Sequence, residues 1–159
     1  MKKFRIGNGY DVHALAKGLT MTLGGVTIKH NVGFVAHSDG DVLIHALCDA
    51  LLGGASLGDI GLHFPDNDEY YKGIDSKILL SKTCQKIREA GFEVENVDCT
   101  ILAQAPRLRP YIELMRATLS QVMQIPTEDV SIKATTTEHL GFVGRQEGVA
   151  VYCVALLSK

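Results

Sequence analysis

DGDVLIHALCDALLG, residues 39–53, decides the architecture. Leu43, Ala46, Leu47, Ala50 and Leu51 recur at three- and four-residue steps, which predicts a helix over 39–53 with Ser38 as its cap. Asp41, His45 and Asp49 follow i, i+4, i+8 spacing and form a polar stripe against the face of Leu43, Leu47 and Ala50. That stripe is either a solvated helix face or one half of a binding site. Upstream, Arg5 to His13 reads as extended chain, and Thr20–Leu23 and Val26–Ile28 flank Gly24-Gly25 as the two strands of a hairpin. Downstream, residues 58–73 form a Gly-, Asp- and Pro-rich loop, a site candidate because structureless loops beyond about 12–15 residues are uncommon without a function. Then follow a helix over 76–90 ending at Gly91, a β-rich run 94–103, a helix over 110–123 with proline in its first turn, and strands at 130–134 and 149–157. Helices separating strands in this way predict an α+β fold, a single domain over residues 1–159 with a mixed sheet and helices packed on one face.

The composition closes several doors. A chain of 159 residues suits one domain of roughly 100–200. Sixteen Lys+Arg against eighteen Asp+Glu leave a net charge of −2, without the basic field that nucleic acid selects for. With 46% hydrophobic and 21% charged residues the chain is expected to fold rather than stay disordered. Its longest apolar run, 149–157, is interrupted by Tyr152 and is far short of the ~18–20 residues that cross a bilayer. The polar, glycine-bearing start through Gly7-Asn8-Gly9 does not match an export signal. Cys48, Cys84, Cys99 and Cys153 are widely spaced, as reduced core cysteines of a cytoplasmic protein are.

Two residues apart on an extended strand, Asp11 and His13 project from the same face and could chelate one ion, although a surface charge and a hydrogen-bonded histidine would have the same spacing. His37, Ser38, Asp39, Asp41 and His45 crowd a helix start, where backbone N–H groups favour anions. Asp11, His13 and His45 would supply two imidazoles and a carboxylate with a fourth position open, the ligand set of a catalytic zinc. Glu138, beside Thr135, Thr136 and Thr137, could hold a harder ion such as magnesium with phosphate. Thr135 and Glu138 also match the capping box of a short helix, and both roles are compatible. Residues 141–148, with Arg145 and Glu147, form a turn or an anion contact. Gly7-Asn8-Gly9 lacks the third glycine of a dinucleotide fingerprint, and no P-loop or Gly-x-Ser-x-Gly elbow occurs. Nicotinamide, P-loop and covalent serine or cysteine chemistry are disfavoured.

Taken together, Gly9–His13, Ala36–Val42, Gly58–Gly61, Phe64–Asp66, Ala103–Pro106 and Ala134–Gly148 resemble the 2-C-methyl-D-erythritol 2,4-cyclodiphosphate synthase family, in the family's order and across nearly the whole chain. The resemblance implies cyclisation of 4-diphosphocytidyl-2-C-methyl-D-erythritol 2-phosphate with release of CMP, a phosphorus–oxygen lyase step of the non-mevalonate route to isoprenoids. It makes Asp11, His13 and His45 zinc ligands, and Glu138 the ligand of a second ion, magnesium or manganese, between the substrate phosphates. His37 and Thr136 would stabilise the transition state, with Asp11, His13, His37 and Ser38 contacting substrate. Asp59 and Gly61 would meet the ribose, Ile60 between them would contact substrate, and Phe64, Pro65, Asp66, Asn67 and Asp68 would line the methylerythritol pocket. The cytidine pocket would comprise Ala103, Gln104, Ala105, Pro106, Arg107, Leu108 and Arg109 with Ala134, Thr135 and Thr136, and Thr137, Glu138, Phe142 and Arg145 would also contact substrate. The resemblance further implies a homotrimer with sites between subunits and an apolar channel where Phe142, Arg145 and Glu147 meet an isoprenoid diphosphate. Asn8 stands where many relatives carry histidine, and Leu62-His63 replaces a more familiar Lys-Leu pair. Two rival readings are a zinc-dependent phosphohydrolase and a non-catalytic trimer that binds isoprenoid diphosphates.

Overall fold

The computed structural model describes residues 2–65 and 69–159. A five-stranded mixed sheet runs in the order β4-β1-β7-β5-β6, built from β1 (Phe4–Lys17), β4 (Val32–Phe34), β5 (Glu93–Leu102), β6 (Val130–Thr135) and β7 (Gly148–Ser158). β5 and β6 are parallel, and the other pairs are antiparallel. The hairpin strands β2 (Met21–Leu23) and β3 (Val26–Ile28) form a separate small sheet across the expected Gly24-Gly25 turn. Helices α1 (Val42–Gly54), α3 (Ser76–Glu89) and α4 (Ile112–Met123) form the layer behind the large sheet. The α+β reading with a mixed sheet holds.

Alternation along β1 gives its two faces different tasks. Gly7 and Gly9 turn toward α1 and are buried, Asp11 and His13 follow on the same face, and Phe4, Ile6, Tyr10 and Val12 point the other way into the open. Gly7-Asn8-Gly9 has a packing purpose. A Cβ at Gly7 would lie 1.8 Å from the carbonyl oxygen of Ala50, and one at Gly9 would lie 1.9 Å from that of Ala46. Only glycine lets α1 lie directly on the strand.

α1 is the central element rather than a surface helix. Val42, Leu43, Ile44, Ala46, Leu47, Cys48, Ala50, Leu51 and Leu52 are all fully buried between the sheet and α3, so the expected two-faced pattern gives way to burial on nearly every side. Nor does Ser38 cap it. Gly40, with φ +75°, turns the chain left-handed, and the helix starts only after Asp41, whose side chain accepts the Ile44 N–H at 3.0 Å. Asp41 also accepts the N–H groups of Gly24 at 2.9 Å and Gly25 at 2.6 Å, tying the hairpin to the helix, and is completely buried. It therefore belongs to the framework, not to a polar stripe. Three-residue β4 had no pattern long enough to read. The 58–73 segment is not structureless: α2 (Ile60–His63) and a 3-10 turn at Glu69–Tyr71 lie within it. A 3-10 turn at Arg109–Tyr111 precedes α4. All four cysteines are free and buried, and no helix among the described residues is long and apolar enough to cross a membrane.

Candidate active site

Strand β1 and helix α1 bring together Asp11 and His13 with His45, which lies 32 residues beyond His13. Oδ2 of Asp11 lies 2.9 Å from Nε2 of His13 and 3.3 Å from Nδ1 of His45, and the two ring nitrogens are 3.3 Å apart. The Asp11 oxygen is buried yet makes no hydrogen bond of good geometry. Among the described residues this is the one group of three or more His, Cys, Asp or Glu whose ligand atoms converge, all within 4.8 Å of one another. For metal–ligand bonds of about 2.0–2.1 Å, a tetrahedron has edges of about 3.3 Å. The observed triangle has nearly those edges, so the three residues fit a tetrahedral divalent cation of the zinc type. Burial pushes the Asp11 carboxyl up, but the neighbouring imidazoles of His13 and His45 outweigh it and hold the group well below the ordinary carboxylate range. A carboxylate so held is ionised and ready to bind a cation at neutral pH.

This triangle borders a cavity of about 480 Å³ whose wall includes His13, His37, Ser38, His45, Ile60, Gly61, Phe64, Pro65 and Tyr71. Sequence reasoning had placed all of these but Tyr71 in the site. Asp59 caps α2 by accepting the Leu62 N–H at 2.9 Å, which presents Ile60 and Gly61 to the cavity. Asp66, Asn67 and Asp68 lie outside the described residues.

A second cavity, of about 410 Å³, lies at the ends of β5 and β6 and is lined by Ala103, Gln104, Ala105, Pro106, Arg107, Leu108, Arg109, Ala134, Thr135 and Thr136, the expected nucleoside residues. It shares no lining residue with the first, so His37 and Thr136 stand on different cavities of one chain. Beyond it the capping box at Thr135 and Glu138 does not form, because Glu138 and His139 are left-handed, with φ 52° and 62°, and no helix begins there. Instead the Thr136 hydroxyl donates to Oε1 of Glu138 at 3.0 Å, and the His139 N–H donates to Oε1 of Gln104 at 3.1 Å. Glu138 remains outside the Asp11–His13–His45 group. Thr137 and Phe142 line a third cavity, of about 270 Å³, with Tyr10 and Tyr152 on the open face of the sheet. The 141–148 stretch is not a turn throughout, because a short helix spans Gly141–Gly144; exposed Arg145 follows it and pairs with Glu147 at 3.0 Å.

Three residues support the site, of which Ser76 alone has no place in the sequence reading. Ser76, completely buried, lies with its Oγ 3.0 Å from Nε2 of His45 and donates to Asp39 at 2.5 Å. Asp49, one turn beyond His45, accepts the Ile60 N–H at 2.7 Å and anchors α2. Burial pushes the Asp49 carboxyl up. Asp39 carried a signal in the dense polar run 37–45, whereas Ser76 read only as a helix start.

Comparison with known proteins agrees with this geometry. The model of the YgbB family matches residues 4–158. A 2-C-methyl-D-erythritol 2,4-cyclodiphosphate synthase of Azotobacter vinelandii is 60% identical over 153 residues, covering 96% of this chain and 98% of its own. The solved bifunctional IspDF of Campylobacter jejuni superimposes with a TM-score of 0.96 at 42% identity, covering 99% of this chain and 43% of that one. The CDP complex of IspF from Plasmodium falciparum gives a TM-score of 0.84 at 34% identity, covering 97% and 95%. With a matching family model over almost its full length and relatives this similar, the chain belongs to the YgbB family, whose similar members are named 2-C-methyl-D-erythritol 2,4-cyclodiphosphate synthases.

Proposed function

We propose that this protein catalyses metal-dependent cyclisation of 4-diphosphocytidyl-2-C-methyl-D-erythritol 2-phosphate to 2-C-methyl-D-erythritol 2,4-cyclodiphosphate with release of CMP, as a phosphorus–oxygen lyase of the cytoplasm. The observation that carries this reading is the triangle of Asp11 Oδ2, His13 Nε2 and His45 Nδ1 beside an open cavity. Asp11, His13 and His45 would hold a divalent cation there, zinc by ligand type, which would supply Lewis-acid polarisation of the diphosphate oxygens. The substrate's own 2-phosphate is the attacking group, so the chain needs no covalent nucleophile. Its residues must instead position and neutralise.

His37 and Ser38 stand on the rim of the first cavity, where they would hold phosphate oxygens. Phe64 and Pro65 give the cavity an apolar wall that would meet the methylerythritol chain, and Asp59 to Gly61 would meet the ribose. The second cavity, between Ala103 and Arg109 and along Ala134 to Thr136, would take the base, with Arg107, Arg109 and Lys133 on its wall. Thr136 and Thr137 would orient the phosphates from that side, and Glu138, steadied by Thr136, would hold the second ion, magnesium or manganese.

Two features support a homotrimer. One chain carries the two half-sites in cavities with no residue in common, and the open sheet face exposes Phe4, Ile6, Tyr10, Val12, Tyr152 and Val154. Packing three such faces around an axis would cover that surface and let the cytidine half of one chain meet the metal half of its neighbour. The third cavity, with Phe142 on its wall and Arg145 on the following turn, would then open to a central channel able to take an isoprenoid diphosphate. Phosphorus NMR of the purified enzyme with the cytidine substrate tests the reaction. A cyclic diphosphate plus CMP is expected; open-chain phosphates without the cyclic product would identify a phosphohydrolase instead.

A further inference from the structure

We infer that Ser76 and Asp39 are positioning residues for His45, fixing its ring hydrogen on Nε2 and leaving the Nδ1 lone pair aimed at Asp11 and His13. The inference rests on the metal site proposed above. Ser76 Oγ lies 3.0 Å from Nε2 of His45, on the side of the ring opposite the triangle. A hydroxyl has a single hydrogen to donate. Ser76 commits it to Oδ1 of Asp39 at 2.5 Å, and a carboxylate only accepts.

Toward His45, Ser76 therefore presents lone pairs. An unprotonated Nε2 would set two lone pairs against each other in a position with no water to intervene, because Ser76 is completely buried. An N–H at Nε2 resolves this. Ser38 Oγ, at 3.3 Å from the same nitrogen and itself receiving the Gly40 N–H, offers a second acceptor on that side. A neutral imidazole carries one hydrogen, so Nδ1 is left bare, and a bare nitrogen is what a divalent cation requires.

The relay is held from three directions. Asp39 accepts the backbone N–H of Ser76 at 2.9 Å and that of Asp41 at 3.1 Å in addition to the hydroxyl. One carboxylate thereby joins the first turn of α3, the entry to α1 and the ring of His45. Such outer partners commonly change metal affinity by about 10–100-fold when removed.

The test uses the full-length protein. In the cadmium-loaded wild type, metal–nitrogen coupling is expected at Nδ1 of His45, together with an Nε2 hydrogen that exchanges slowly with water. Ser76→Ala is expected to speed that exchange and to weaken zinc binding, read by calorimetry, by about 10–100-fold. Metal on Nε2, or a Ser76→Ala protein with unchanged exchange and zinc affinity, overturns the relay and leaves the metal site standing. A wild-type protein that binds no zinc or cadmium overturns the metal site and the relay together. The wild-type spectrum decides the tautomer whether or not the variant folds.

Discussion

Nδ1 of His45 lies 3.3 Å from Oδ2 of Asp11 because the helix beneath it touches the strand backbone to backbone. Gly7 and Gly9 let α1 settle onto β1, and the next two residues on that strand face, Asp11 and His13, then meet His45. The metal triangle is a consequence of that close approach. Gly9→Ala would drive a methyl to within 1.9 Å of the Ala46 carbonyl oxygen, a backbone atom that cannot swing aside. We expect a loss of about 3 kcal/mol or more in urea unfolding, with zinc affinity falling alongside. Wild-type stability and affinity in this variant would show that the helix can sit farther out without harm.

Removing one corner of the triangle tests chemistry apart from folding. His45 borders the open cavity rather than the hydrophobic core, so His45→Ala should unfold cooperatively and keep the assembly of the wild type. Zinc content should drop to background and cyclisation should fall by about 100–1,000-fold or more. Full activity in this variant would contradict the assignment of the ligand.

Chelation should act on stability as well as rate. A ligand present at about 100 times its dissociation constant stabilises a folded protein by about 2.7 kcal/mol, which for a chain of this size is about 5–10 °C in Tm. Dialysis against a chelator should lower Tm by that order and abolish product formation, and zinc should restore both. An unchanged Tm with full activity after exhaustive chelation would rule out a resident cation.

Asp41 sets a pH dependence of opposite sign to the usual carboxylate. Burial pushes its carboxyl up to about 6 from the ordinary 3.8, against the N–H groups of Gly25, Ile44 and Gly24 that favour the charge. The folded state thus holds this proton more tightly than the unfolded chain. Its contribution is complete below about 3.8 and is lost as pH rises through about 6, by about 3 kcal/mol in total. Asp11, whose carboxyl is held low, gives stability above the ordinary carboxylate value and loses it only in strong acid, outside this window. Urea unfolding between pH 4 and 7 should show the decline in the wild type and a flatter curve in Asp41→Asn. Parallel curves would mean that Asp41 stays ionised throughout.

Much of this was legible in the sequence because the relevant patterns are local. Asp11 and His13 lie on one face by the period of a strand, and the hairpin at Gly24-Gly25 and the helices over 76–90 and 110–123 follow from turn chemistry and 3.6-residue spacing. What the pattern missed depends on long-range contact. Asp41 looked like part of a polar stripe, and only the docking of the hairpin reveals it as a buried cap. Ser38 lost the capping role to Asp41 because Gly40 turns left-handed between them. Ser76 comes next to His45 only when α3 packs against α1, and no spacing in the chain encodes that contact.

The most direct measurement is diffraction at the zinc absorption edge from crystals grown with zinc and soaked with CDP. An anomalous peak is predicted between Asp11, His13 and His45, with the cytidine ring seated among Ala103, Pro106 and Ala134 and the diphosphate reaching toward that peak. A fully loaded crystal with no peak at the triangle, its two imidazoles turned apart, or a nucleotide bound elsewhere would contradict the account.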